Sequence, residues 1–186
     1  VLLALIIINP KADAQCSMAC NSFVQVSLDQ ICQATITPAM MLNDTATACP
    51  NANYEVEVLK YNKKIPTSPI VNGDHLNLKL TVKVKDKNSG NSCWGEILIE
   101  DKLPPILTCG IDTTECYLAS SYLPTITENC YIDTLILINE IPHTLNCDPT
   151  FIKRISRQYI AKDKAGNVSA PCWIDIYLNR FPIDSV

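Results

Sequence analysis

Apolar and polar residues alternate with a period of two along much of this chain. The clearest case is residues 76–84, where Leu and Val at even positions alternate with Asn, Lys and Thr. This pattern predicts a strand with one buried face and one solvated face. Helical periodicity is absent and turn residues separate the runs, so the chain is predicted to be all-β. Further strands are predicted at residues 24–28, 54–58, 135–138, 155–161 and 173–178.

One sequence pattern occurs twice, about 78 residues apart, in residues 84–99 and 161–178. Each copy reads as a strand, an Asp-rich turn, Cys-Trp and a second strand. Self-similarity at such a spacing predicts tandem copies of one small fold, here two β-sandwich modules.

A Pro-Pro pair lies between the two copies, in the segment Asp-Lys-Leu-Pro-Pro at residues 101–105. Proline cannot continue a strand ladder, and it stiffens an extended connection. The first module is therefore predicted to span residues 15–101 and the second residues 102–186. Residues 179–183 resemble another linker, which suggests that the natural protein continues beyond Val186.

The first eight residues are apolar, and Asn9-Pro10 and then Ala12-Asp13-Ala14 follow them. This order is typical of a secretory signal peptide, which we assign to residues 1–14 and regard as truncated at its start. A buried N-terminal strand is the alternative. The run is shorter than the roughly 20 apolar residues that cross a bilayer, and no other stretch is long enough. We therefore expect a secreted or cell-surface protein without a membrane span.

The chain contains ten cysteines, and an even number in an exported chain predicts disulfides. Structural zinc is disfavoured, because there is no Cys-x-x-Cys and the two histidines, His75 and His143, lie far from any paired cysteines. The net charge of −4 and the lack of a basic, aromatic-rich patch argue against nucleic acid as a partner.

Two oxygen-rich turns are weak candidates for calcium. Asp86 and Asn88 belong to the first turn, and Asp163 and Asn167 belong to the second. Oxygen ligands suit Ca²⁺, but Asp and Asn also stabilise ordinary hairpin turns through their backbone hydrogen bonds. The turn interpretation is preferred, and no other cofactor is predicted.

Trp94 and Trp173 each follow a cysteine of the repeated pattern. Their matched positions predict packing in or near the core beside a disulfide, with a glycan-stacking surface as the alternative. No catalytic residue is predicted. The chain has no Gly-x-Ser-x-Gly, and His143 has no evident nucleophile partner in the sequence.

Three segments resemble the hyalin-repeat (HYR) module. They are Pro-Pro-Ile-Leu-Thr-Cys at residues 104–109, Thr-Glu-Asn-Cys at residues 127–130, and Ala-Lys-Asp-Lys-Ala-Gly-Asn at residues 161–167, before Cys172. The first half resembles the companion module of large surface proteins of Bacteroidetes-type bacteria, which often use type IX secretion. The resemblance implies two tandem immunoglobulin-like β-sandwiches. Glu128 stands where that family usually has Asp.

The immunoglobulin-like fold implied by this resemblance brings the first and last strands of a module close together. On that basis the expected disulfides are Cys109–Cys172 and Cys130–Cys147 in the second module. By analogy, Cys20–Cys93 and Cys32–Cys49 are expected in the first. Cys16 and Cys116 are left over, to pair with each other or with missing neighbours.

These features predict a non-catalytic structural or adhesive module that acts as a spacer or binding stalk. Its expected partners are an extracellular protein or glycan and the neighbouring repeats of the same chain. Two alternatives stay open. The chain could be an accessory module of a larger secreted enzyme, or a carbohydrate- or protein-binding module in its own right.

Overall fold

The structure, a computed structural model, describes residues 18–43, 52–115 and 121–180. These residues form thirteen strands and two short helical segments, which confirms the all-β prediction. The strands are β1 Phe23–Ser27, β2 Gln33–Thr35, β3 Tyr54–Lys60, β4 Lys63–Lys64, β5 Ile70–Asn72, β6 Lys79–Asp86, β7 Ser92–Glu100, β8 Ile106–Thr108, β9 Ile111–Thr114, β10 Thr125–Thr127, β11 Ile132–Thr144, β12 Phe151–Asp163 and β13 Cys172–Asn179.

The two helical segments are a single turn of α-helix, Pro38–Met41, and a 3-10 turn, Gly73–His75. Within the described part of the chain, neither is long enough to cross a bilayer. The predicted signal peptide, residues 1–14, lies outside the described residues.

The described residues divide into two compact units. The first contains residues 18–25, 35–43, 52–70 and 79–98, and the second contains residues 26–34, 71–78, 99–115 and 121–180. Segments 26–34, 71–78 and 99–101 thus group with the second unit, whereas the sequence analysis placed them before the boundary at residue 101. The division into modules 15–101 and 102–186 stays a prediction.

Strands β1, β7, β6, β3 and β4 form, in this order, a five-stranded sheet. The alternation that predicted a strand is visible in β6, where Leu80, Val82 and Val84 are buried while Thr81 and Lys83 between them are not. The strand begins at Lys79 rather than at residue 76. The 3-10 turn and Asn77, whose φ is +61°, interrupt the extended backbone before it. Strands β2 and β5 form a separate pair.

The second unit contains a four-stranded sheet, in the order β11-β12-β13-β9, and a two-stranded sheet of β8 and β10. Its core is built on Ile155 and Tyr159 from β12 and on Ile174, Ile176 and Leu178 from β13. Leu107 of β8 packs against this cluster, so the small sheet covers one face of the larger one. Two packed sheets around one core make this unit a β-sandwich.

The repeated pattern corresponds to a repeated hairpin. The first copy forms β6, a turn and β7, and the second forms β12, a turn and β13. In each turn a glycine with positive φ, Gly90 at 78° or Gly166 at 98°, donates its N–H to the carbonyl oxygen of Asp86 or Asp163. Only glycine adopts such backbone angles without strain, which explains why both copies contain one.

Two disulfides match pairs implied by the family resemblance. Cys20 is bonded to Cys93 with an S–S distance of 2.04 Å, and Cys109 is bonded to Cys172 at 2.00 Å. In both pairs the second cysteine, Cys93 or Cys172, lies in the second strand of the hairpin with the repeated pattern. Cys16, Cys49 and Cys116 lie outside the described residues.

The predictions of the other two disulfides are wrong. Cys32 is bonded to Cys130, at an S–S distance of 2.01 Å, and so neither Cys32–Cys49 nor Cys130–Cys147 forms. Cys147 is an exposed free thiol. The expectation failed because it sought short loops within one module, whereas the observed bond joins residues 98 positions apart.

Backbone geometry around Asp29 explains this pairing. Cys32 takes a positive φ of 59° in a turn where its N–H donates to the Asp29 carbonyl. The same carbonyl accepts from Asn129 Nδ2 at 3.0 Å, beside Cys130. One acceptor therefore holds both segments close, within the second unit.

Candidate functional site

Three carboxylates converge in the second unit, those of Asp101, Glu128 and Asp163. One oxygen from each lies within 4.8 Å of the others. Asp101 precedes β8, Glu128 follows β10, and Asp163 ends β12, so three separate chain segments contribute. Asp101 is 6% exposed and Asp163 is 1% exposed. We call these three residues the carboxylate cluster.

Two asparagines fix the positions of the aspartates. Asn129 Nδ2 donates to Asp101 Oδ1 at 3.1 Å, and the same oxygen accepts from the N–H of Leu103. Asn167 donates to both carboxylate oxygens of Asp163, from its backbone N–H at 2.7 Å and from Nδ2 at 2.8 Å. Asn167 Nδ2 also reaches the carbonyl oxygen of Asp101, at 3.0 Å. The two aspartates are thus pre-positioned by neutral donors.

Glu128 is held less completely. Its Oε1 accepts from the N–H of Cys130 at 3.2 Å, while its Oε2 is buried and has no hydrogen-bond partner. The Oδ1 of Asn129 is likewise buried and unpartnered. Burial raises the pKa of Glu128, and the negative charges of Asp101 and Asp163 raise it further.

The carboxylate cluster has no ion pair with a basic side chain in the described part of the chain. Buried carboxylates without a counter-charge are costly. Hard cations prefer carboxylate and amide oxygens, and these are the groups gathered in and beside the cluster.

A cavity of about 390 Å³ borders the cluster. Glu128 and Asn129 form part of its wall, and the remaining wall is mainly apolar. The unpartnered oxygens of Glu128 and Asn129 are themselves buried, so other atoms of these two residues face the cavity. It is lined by Gln30, Leu103, Pro104, Ile106, Thr127, Glu128 and Asn129.

The first of the two predicted calcium turns has a different character. The carboxylate of Asp86 accepts hydrogen bonds from the backbone N–H groups of Asn53, Asn88 and Ser89 and from the Ser89 hydroxyl at 2.7 Å. Its oxygens are therefore occupied by donors within the protein, as expected of a turn. Asn88 contributes its backbone to this arrangement. Of the two turns, only the one with Asp163 and Asn167 belongs to a group of carboxylates.

Asp86 should make stability depend on pH. The Ser89 hydroxyl and the backbone donors lower its pKa from 3.8 to about 2. A lowered folded-state pKa contributes stability that is complete above the unfolded value and is lost as pH falls through about 2. We expect Asp86→Asn to destabilise the protein at pH 6, with the difference from wild type shrinking between pH 4 and pH 2.

Denaturant unfolding at a series of pH values measures this effect. Asp133→Asn, at an exposed position on β11, is the matched control and should change little. A wild-type-to-variant difference that stays constant from pH 6 to pH 2 would contradict the assignment.

The exposure of Trp94 and Trp173 contradicts the prediction that they pack in or near the core. Trp94 is 55% exposed and Trp173 is 42% exposed, so neither packs in the core as expected. Each lies on the solvent face of its strand, because its neighbour Gly95 or Ile174 occupies the buried face. Lys83 Nζ lies 5.7 Å from the centroid of the Trp94 ring, within the range of a cation–π contact.

A serine, a histidine and an aspartate meet on the four-stranded sheet, in an order unsuited to nucleophilic catalysis. Ser156 Oγ donates to Asp175 Oδ1 at 2.5 Å, and His143 Nε2 lies 3.3 Å from the same Oγ. In a catalytic triad the histidine accepts the serine proton and the acid orients the histidine. Here the aspartate accepts the serine hydrogen bond directly, so the three side chains act as a polar link between β11, β12 and β13.

The sequence analysis found only part of the cluster. Asp163 and Asn167 were selected, but Asp101 was assigned to the linker segment and Glu128 was noted only as a departure from the family motif. One signal was available in the sequence. Glu128 and Asp163 lie within two of the segments that resemble the family, and Asp101 lies just before the third. Their convergence is a tertiary feature, which spacing alone does not reveal.

Comparisons with known proteins give little further identification. No protein-family model matches the chain, and a comparison with curated proteins found no match. Similar solved structures include the fibronectin(III)-like modules of Clostridium thermocellum CbhA, at 14% identity over 87% of this chain and 94% of that chain, with a TM-score of 0.26. Human protocadherin-24 EC1-2 is 10% identical over 89% of this chain and 99% of that chain, with a TM-score of 0.30. Similarity this loose carries no argument about function.

Proposed function

We propose that this chain is a non-catalytic structural or adhesive part of an exported protein, acting as a spacer or binding stalk. The observation that carries the proposal is the placement of the disulfides. Cys20–Cys93 and Cys109–Cys172 close loops of 73 and 63 residues, which together include most of the described chain. Disulfides of this kind persist in oxidising, extracellular surroundings.

These bonds restrict how far the chain can lengthen under tension. A force applied at the two ends passes through Cys20–Cys93, along the segment 93–109, and then through Cys109–Cys172. The residues inside each loop are bypassed, so they cannot extend even if a sheet unfolds. Limited extension is a useful property in a spacer.

Single-molecule pulling from the two ends tests this proposal. The oxidised protein should extend only through the segment 93–109 and the flanking residues. Reduction should release the two loops of 73 and 63 residues and add about 450–490 Å of contour length, at 3.3–3.6 Å per residue. Cys109→Ser with Cys172→Ser should release only part of the second loop, because the Cys32–Cys130 bond then carries the force from the first loop into the second. Full extension of the oxidised wild type would overturn the spacer proposal.

The exposed tryptophans favour a second candidate, a carbohydrate- or protein-binding module. Exposed aromatic rings offer flat apolar surfaces, and Lys83 beside Trp94 adds a charged group. Glycan-array screening distinguishes the candidates. Binding that Trp94→Ala or Trp173→Ala abolishes, and that the control Tyr61→Ala preserves, would favour the binding module. Absence of binding in all four proteins would leave the spacer.

The family and export route that we propose for this protein are based on the sequence resemblance to HYR modules. HYR-type modules of Bacteroidetes-type surface proteins, exported by type IX secretion, are the proposed context. An accessory role beside a secreted catalytic domain is compatible with the same fold. The proposal is supported by the repeated hairpin and by the motif residues 127–130 and 161–167, which meet at the carboxylate cluster.

A further inference from the structure

We propose that the carboxylate cluster of Asp101, Glu128 and Asp163 binds a calcium ion, with Asn129 Oδ1 as a further ligand. This site differs from the two turns selected in the sequence, because it combines residues from three chain segments. Its existence does not depend on whether the protein is a spacer or a binding module.

Two kinds of observation beyond the grouping of acids point to a cation. The first is the pair of buried oxygens without hydrogen-bond partners, Glu128 Oε2 and Asn129 Oδ1, on adjacent residues beside the aspartates. When Glu128 is ionised, both atoms are acceptors only, so a proton donor or a cation must satisfy them. The second is the charge balance, since up to three negative charges gather there without an ion pair from any described Lys or Arg.

The donors that surround the cluster are arranged around the aspartates and leave the remaining oxygens available. Asn129 directs its Nδ2 at Asp101 and at the carbonyl of Asp29, which leaves its Oδ1 as an acceptor. Asn167 similarly donates hydrogen bonds to Asp163 and to the Asp101 carbonyl. The side chains are thus oriented before any ion arrives.

The chemistry of the donors selects the ion. All of the available ligand atoms are oxygens, and the neighbouring Cys130 is consumed in its disulfide. Zinc favours nitrogen and sulfur, whereas Ca²⁺ accepts six to eight oxygens in flexible geometry and can complete its shell with water. A bound ion would tie together the segments that precede β8, follow β10 and end β12.

Thermal unfolding of the full chain in calcium and in chelator tests the inference. Extracellular calcium modules bind with Kd values of about 10⁻⁴–10⁻³ M. At about 10 mM Ca²⁺ the wild-type Tm should therefore rise by about 5 °C relative to EDTA. Glu128→Gln keeps the size of the side chain and removes its charge, so its Tm should not respond to calcium.

The same variant separates a lost site from a damaged fold. In EDTA, Glu128→Gln should be at least as stable as wild type, because it removes repulsion from Asp101 and Asp163. Glu96→Gln, an exposed change on β7, should keep the full calcium response. A wild-type Tm that calcium leaves unmoved would overturn the inference, as would an equal calcium response in Glu128→Gln.

Discussion

Replacement of Gly95 by alanine is expected to destabilise the first unit by about 3 kcal/mol, near the upper end of the usual cost of overpacking. Gly95 is buried in β7, between Trp94 and Glu96. A Cβ atom there would overlap the backbone oxygen of Asn21 and would lie 2.8 Å from Met41 Cε. The methionine can move, but the Asn21 backbone is held because its N–H donates to the Met41 carbonyl at 2.7 Å.

Guanidinium unfolding of Gly95→Ala and wild type measures this cost. Gly110→Ala is the matched control, because nothing lies within 4 Å of the position where its Cβ would be built. The control should unfold near the wild-type midpoint. Equal unfolding midpoints for Gly95→Ala and Gly110→Ala would contradict the expected steric cost at Gly95.

Local patterns in the sequence were sufficient for the strands and the repeated hairpin. The alternation of Leu80, Val82 and Val84 with the polar residues Thr81 and Lys83 specifies a strand with one buried face, and the structure buries these three apolar residues. The same rule also predicts the position of Trp94 on the solvent face of its strand. Cys93 faces inward, and a period of two sends the next residue to the opposite face. The prediction of a buried tryptophan was wrong because it relied on the residue type rather than on the period of two.

Long-range pairing was not accessible in the same way. The carboxylate cluster joins Asp101, Glu128 and Asp163, and the sequence gives no rule that brings a linker, a strand end and a hairpin turn together. The pairing of Cys32 with Cys130 has the same origin, since it depends on the shared acceptor at Asp29. Spacing favours short loops, whereas tertiary contacts decide which cysteines meet.

Removal of the Cys32–Cys130 disulfide should lower the free energy of unfolding by about 2–4 kcal/mol. The two cysteines lie 98 positions apart in sequence. The other two disulfides shorten the loop that this bond closes, but the cross-link still removes conformational freedom from the unfolded chain. The variant that tests it combines Cys32→Ala with Cys130→Ala, so that no unpaired thiol is left. Denaturant unfolding under non-reducing conditions gives the change, because the other two disulfides stay intact.

Cys147→Ala is the control, since that thiol is exposed and free, and it should unfold like wild type. Peptide mapping without reduction identifies the bond directly and should recover Cys32 linked to Cys130. Recovery of Cys32 linked to Cys49 would restore the connectivity inferred from the family resemblance. It would also remove the covalent link that holds residues 128–130 near the segment 29–32. The calcium inference could then be tested independently, because the Glu128→Gln comparison does not require that bond.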